Sequence, residues 1–112
     1  MFTQFKTPEW LALAGLIRLV RDADGKITPK EHQKVAALVR HFGPTLWEFL
    51  AKAERQLEDE DAVRRQAAKV ERPEAREAIR EALVEMANTD GMSDAEQRVL
   101  DWLDALWAAT PA

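Results

Sequence analysis

Across its 112 residues the chain has no cysteine and no tyrosine, a single serine, two histidines, and four glycines that stand apart from one another. Each scarcity removes a class of chemistry. Without cysteine there is no disulfide, no zinc-thiolate site and no thiol nucleophile. Isolated glycines cannot build the Gly-rich loop that wraps a phosphate. His32 and His41 lie nine apart on one expected helix, not at the one-turn spacing of a zinc-binding pair, and no Glu-x-x-His occurs, as a ferritin-like di-iron bundle would require. Ser93 has no histidine near it in sequence and reads as a helix cap. A basic excess is also missing: 16 Lys and Arg against 20 Asp and Glu leave a formal charge of −4, the wrong sign for neutralising nucleic-acid phosphates. The longest apolar run, Trp10 to Ile17, stops at Arg18, well short of the roughly 20 residues that span a bilayer. The opening MFTQFKTPEW lacks the basic and apolar regions of a secretory leader, so the expectation is a cytoplasmic protein, residues 1–112 forming one domain.

What the chain does have is helical periodicity. Apolar residues recur every three or four positions, and no stretch alternates long enough for a strand, so the fold class expected is all-α with five or six helices. Thr7 before Pro8 marks a first start, with Leu11, Leu13, Leu16, Ile17 and Val20 as the core face, ending at Asp24-Gly25. Thr28-Pro29 and Glu31 form a capping box for a second helix through Val35, Leu38, Val39 and Phe42, ended by Gly43-Pro44. A third helix from about Thr45 carries Leu46, Trp47, Phe49, Leu50 and Leu57 towards a more polar helix around Ala62 to Val70. Pro73 opens a helix through Ile79, Leu83 and Met86 to Asn88. After Asp90-Gly91, the capping box Ser93-x-x-Glu96 opens the last, with Leu100, Leu103 and Trp107.

The two Asp-Gly turns expose an internal repeat. Positions 12, 8 and 5 before each glycine are Leu13, Ile17 and Val20, then Ile79, Leu83 and Met86. Positions 3, 7, 10 and 14 after each cap are Glu31, Val35, Leu38 and Phe42, then Glu96, Leu100, Leu103 and Trp107. Two helix-turn-helix units with one core pattern therefore flank a middle segment.

The acidic turns overlap a calcium loop without completing one. With Gly25 at the sharp-turn position, Asp22, Asp24 and Glu31 fall at positions three, five and twelve, but position one is Val20; in the second turn Asn88 and Asp90 fill positions three and five, while Met86 and Gln97 occupy one and twelve. Asp-Gly followed by a capping acid, twice in an all-helical chain, instead resembles the TerB-like (tellurite-resistance TerB) domain family. The resemblance runs from about residue 10 to 108 and is weakest in the middle segment. It implies an all-α, non-enzymatic module of duplicated helical units, with acidic turn residues associated with divalent-metal binding and with bacterial stress-response assemblies. Asp24 and Glu31 match the first motif, Asp90 and Glu96 the second.

Two readings of the turns remain side by side. Helix capping alone accounts for Asp-Gly, Thr28 with Glu31, and Ser93 with Glu96. It does not demand Asp22 or Asp94, which add charge beside each turn. If a divalent cation binds (calcium, magnesium or manganese), the ligand sets are Asp22, Asp24 and Glu31, and Asp90, Asp94 and Glu96. The alternative is a metal-free interaction or scaffold protein. No catalytic residue stands out, since an enzyme would have only carboxylates to work with.

The remaining features read more plainly. Trp47, Trp102 and Trp107 sit at core spacing, with Trp102 the best candidate for an exposed protein-docking anchor. Glu58-Asp59-Glu60-Asp61 reads as a solvated helix junction. Arg72, Arg76 and Arg80 beside Glu77, Glu81 and Glu85 read as a solvated, ion-paired face. The partner is an unidentified protein, with homodimerisation left open. Charge is uneven: residues 1–53 carry 8 bases and 5 acids (+3), residues 54–80 carry 7 and 8 (−1), and residues 81–112 carry 1 and 7 (−6). A cation should therefore prefer the second turn on charge, although the first has the better ligand spacing.

Overall fold

The computed structural model describes residues 5–22, 29–87 and 94–109, the side chains of 21, 22, 29–32, 34 and 87 excepted. Six helices and no strand are found there: α1 (Thr7–Asp22), α2 (Pro29–Phe42), α3 (Pro44–Gln56), α4 (Glu60–Ala68), α5 (Pro73–Ala87) and α6 (Asp94–Ala109).

The longest apolar run becomes the central helix. Ala12, Leu13, Ala14, Leu16, Ile17 and Val20 are each at most 1% exposed, and α1 packs against α3, α4, α5 and α6. A helix apolar on most of its circumference must be covered on several sides. No described helix is long and apolar enough to cross a membrane. The start of α1 differs by one residue from the sequence expectation. The Lys6 carbonyl accepts from the Trp10 N–H at 2.9 Å, which makes Lys6 the cap and places Thr7 inside the helix. The Lys6 N–H in turn donates to Glu9 Oε1 at 2.6 Å. A glutamate that returns to the cap's own N–H satisfies an orphan donor without needing a Thr hydroxyl.

Glu9 then does a second job. Its carboxylate, 5% exposed, receives both Nη2 and Nε of Arg72 from the α4–α5 connection, the latter at 2.8 Å. The bound guanidinium holds the Glu9 carboxyl below its ordinary range, outweighing the effect of burial.

Local signals set most other boundaries. Gly43 adopts φ +95°, ψ 175°, where a side chain is strained, so α2 stops and α3 starts within one residue. The Asp59 carboxylate accepts from the Ala62 N–H at 2.8 Å and caps α4. The acidic run 58–61 is thus a helix junction, as its composition suggested, and Glu60 continues from it to meet Arg64 at 3.0 Å and Arg98 at 3.5 Å.

Phe5, Trp10, Phe42 and Phe49 close the α1–α2–α3 end of the core, with Trp10 lying 11° from parallel to Phe49 and edge-on to Phe42. The Trp107 indole donates to the Ala67 carbonyl at 3.0 Å, and beside it the Gln66 amide donates to the Pro8 carbonyl at 3.0 Å. The six matched positions of α1 and α5 are equally buried: Leu13, Ile17 and Val20 at 0, 0 and 1%, Ile79, Leu83 and Met86 at 0, 0 and 1%. Helix α2 lies against α3 and α5, whereas α6 lies against α5, α1 and α4.

Candidate functional site

The two acidic turns fall between helices whose ends are defined. Helix α1 ends at Asp22 and α2 begins at Pro29; α5 ends at Ala87 and α6 begins at Asp94. Asp24, Asp90, Thr28 and Ser93 lie outside the described residues. Asp22 is the last residue of α1 and Glu31 sits in the first turn of α2, both described in backbone only. Asp94 opens α6 and is exposed, while Glu96, two residues on, is 5% exposed. Residues two apart on a helix face different directions, so these two acids do not converge from the helix itself. Among the described residues no group of three His, Cys, Asp or Glu side chains is placed to hold a metal ion. Helix α6 begins at Asp94, so Glu96 is its third residue.

A larger acidic feature leads towards the second turn. Glu74, Glu77, Glu81 and Glu85 recur on one side of α5 and, with His41 of α2, line a groove of about 420 Å³ over Ala78 and Ala82. A smaller hollow of about 160 Å³ between Leu38, His41, Glu85 and Met86 prolongs it. At 1.5 Å per residue the stripe spans roughly 16 Å. Carboxylates strung over that length cannot converge on one ion; they present a line of negative charge.

The expectation of a self-neutralised α5 face is corrected here. Arg72, Arg76 and Arg80 each bond to other parts of the chain. Arg72 takes Glu9. Arg76 donates to the Val70 carbonyl at 2.8 Å and the Trp107 carbonyl at 3.2 Å, its guanidinium 5.8 Å from the Trp107 ring centre. Arg80 grips Asp104 of α6 with two hydrogen bonds of 2.7 and 3.0 Å. Glu74, Glu77 and Glu81 form no salt bridge with any described residue. Sequence spacing alone could not reveal this, because it shows which residues share a helix face and not which neighbouring helix supplies a better partner.

The tryptophan assignments also change. Trp102, expected as the exposed anchor, is half-buried beneath the Arg64 guanidinium at 4.7 Å. Trp47, expected in the core, is 60% exposed and is the exposed large hydrophobic side chain among the described residues. The signal for this was present in the sequence: Leu46, Phe49, Leu50 and Ala53 define the buried face of α3, and Trp47 falls beside that stripe. His41 is exposed and meets the Phe42 ring edge-on, as a locally packed surface histidine should.

No curated protein and no solved structure matches the chain. The family model described as "Tellurite resistance protein TerB" matches residues 10–107. That match begins in the first turn of α1, takes in both Asp-Gly turns and ends at Trp107 near the close of α6, so it covers nearly all of the helical arrangement. The chain belongs to the TerB family of tellurite resistance proteins.

Proposed function

We propose that this chain is a non-enzymatic TerB module that binds divalent cations weakly at its acidic Asp-Gly turns and docks a basic protein partner, within a bacterial response to tellurite or a related stress. The observation that carries the reading is the row of glutamates on one side of α5, of which Glu74, Glu77 and Glu81 form no salt bridge with a described residue. Arg72, just before α5, holds Glu9, while Arg76 and Arg80 within it bond to main-chain carbonyls and to Asp104 of α6. Residues 81–112 hold one base and seven acids. Such a field raises the local concentration of cations and of basic partners alike.

Asp22, Asp24 and Glu31 form the first candidate cation set, and Asp90, Asp94 and Glu96 the second. In the second set the exposed Asp94 is free of the packing that holds Glu96 at 5% exposure. Ligation there falls first to Asp90 and Asp94, with Glu96 engaged at the helix start. Oxygen ligands of this kind suit calcium, magnesium or manganese. The groove over Ala78 and Ala82 is the docking surface, its charge matched to a segment rich in Lys and Arg.

The test is thermal unfolding with calcium, magnesium or manganese against chelator. A cation at ten times its dissociation constant stabilises by about 1.4 kcal/mol, roughly 3–8 °C for a domain of this size. Asp24→Asn with Asp90→Asn removes the shift. A second reading, a metal-free scaffold whose turns are only caps, draws support from the burial of Glu96 third in α6. Under it, Thr28→Ala or Ser93→Ala costs about 1 kcal/mol, and melting is the same in cation and chelator.

A further inference from the structure

We infer that the outward stripe of α3 is the interface of a homodimer, in which two copies of α3 lie antiparallel across a two-fold axis. Trp47 is 60% exposed on this stripe, and tryptophan is the residue type that most often concentrates interface energy. Trp47, Ala51 and Glu54 follow i, i+4, i+7 along the exposed side of α3, with the largely buried Leu50 at its base. Beside the indole lies an open hollow of about 390 Å³ lined by Arg18, Trp47, Glu48, Leu50, Ala51 and Glu54. The same face therefore offers a protruding aromatic ring and a partly apolar recess.

Charge identifies the occupant as a second copy. A two-fold interface must be complementary to itself. Here Arg18 of α1 stands on one rim and Glu48 and Glu54 of α3 on the others, none of them ion-paired with a described residue. Two-fold pairing sets each Arg18 against the other copy's glutamates and each Trp47 into the other copy's recess. The α5 groove, acidic along its length, would repel its own copy. Ala51 at the middle of the stripe lets the helix axes approach to the close end of the usual 8–10 Å range. A patch built on one 13-residue helix belongs to the small, weak class of interfaces, so association depends on concentration.

Sedimentation equilibrium and NMR across about 10 μM to 1 mM, the range in which so small an interface operates, test this with chelator present to keep cation effects apart. The expected result is a mass rising towards two chains, with the Trp47 indole N–H resonance moving with concentration. Trp47→Ala weakens association at least tenfold while circular dichroism and melting stay as in the parent, because the side chain lies outside the core. Arg18→Glu weakens it as well, and combining it with Glu48→Lys and Glu54→Lys restores it. A monomeric mass up to 1 mM, or a dimer that Trp47→Ala leaves intact, overturns the proposal.

Discussion

At the scale of single residues, the most consequential side chain is Glu9, which no spacing or motif marks out. Glu9 closes the cap of α1 through the Lys6 N–H and anchors Arg72 across the molecule. Sequence position suggested an N-terminal helix glutamate and nothing about residue 72, because that pairing exists only once α1 and α5 are packed. The lowered carboxyl pKa has a definite consequence for stability. The folded value lies below the ordinary 4.5, so the contribution is complete above about pH 4.5 and is lost as pH falls through the folded value. Glu9→Gln should therefore lower the melting temperature at pH 7, and the gap to the parent should close on acidification below about pH 4.5; pH-dependent melting of the two proteins checks it.

At the scale of elements, helix boundaries were legible because they are written in local chemistry. Pro29, Gly43-Pro44 and Pro73 each act within a turn of where they stand, and α2 and α5 begin where those residues place them. Gly43 shows how local the cause is. Nothing lies within 4 Å of a Cβ built there, yet its φ of +95° is one that side chains rarely adopt. Gly43→Ala should cost about 1–3 kcal/mol through backbone strain alone, measured by chemical denaturation. Gly15 is the opposite case. Its conformation is helical, but an added Cβ would meet Leu57 Cδ1 at 2.7 Å and Val63 at 3.4 Å. The contact is with the tip of a flexible side chain beside a hollow of about 180 Å³. Leu57 can move, and the roughly 1 kcal/mol gained in helix propensity offsets the repacking, so Gly15→Ala should stay within about 1 kcal/mol of the parent. How closely α1 approaches Leu57 and Val63 at Gly15 was not readable from periodicity.

At the scale of the whole molecule, the all-α class and the family were legible, and the distribution of surface charge was legible only in part. Segment charges located the acidity in residues 81–112. They could not show that Arg72, Arg76 and Arg80 would bond to Glu9, main-chain carbonyls and Asp104, because that depends on which helices become neighbours. The exposed tryptophan was legible by contrast, since Trp47 falls beside the Leu46, Phe49, Leu50 and Ala53 stripe that α3 buries. Helix α1 meets α6 and α2 meets α5, contacts that helical periodicity alone does not assign. Of the six acids assigned to those turns, the structure describes the side chains of Asp94 and Glu96, one exposed and one buried.

Cation binding at these turns is most directly tested by calorimetric titration of calcium into the full chain and into its Asp24→Asn and Asp90→Asn variants. The account predicts a weak, saturable heat that Asp90→Asn diminishes more than Asp24→Asn, since the second turn sits in the denser negative field. The absence of any saturable heat, or a heat that survives both substitutions together, would contradict it.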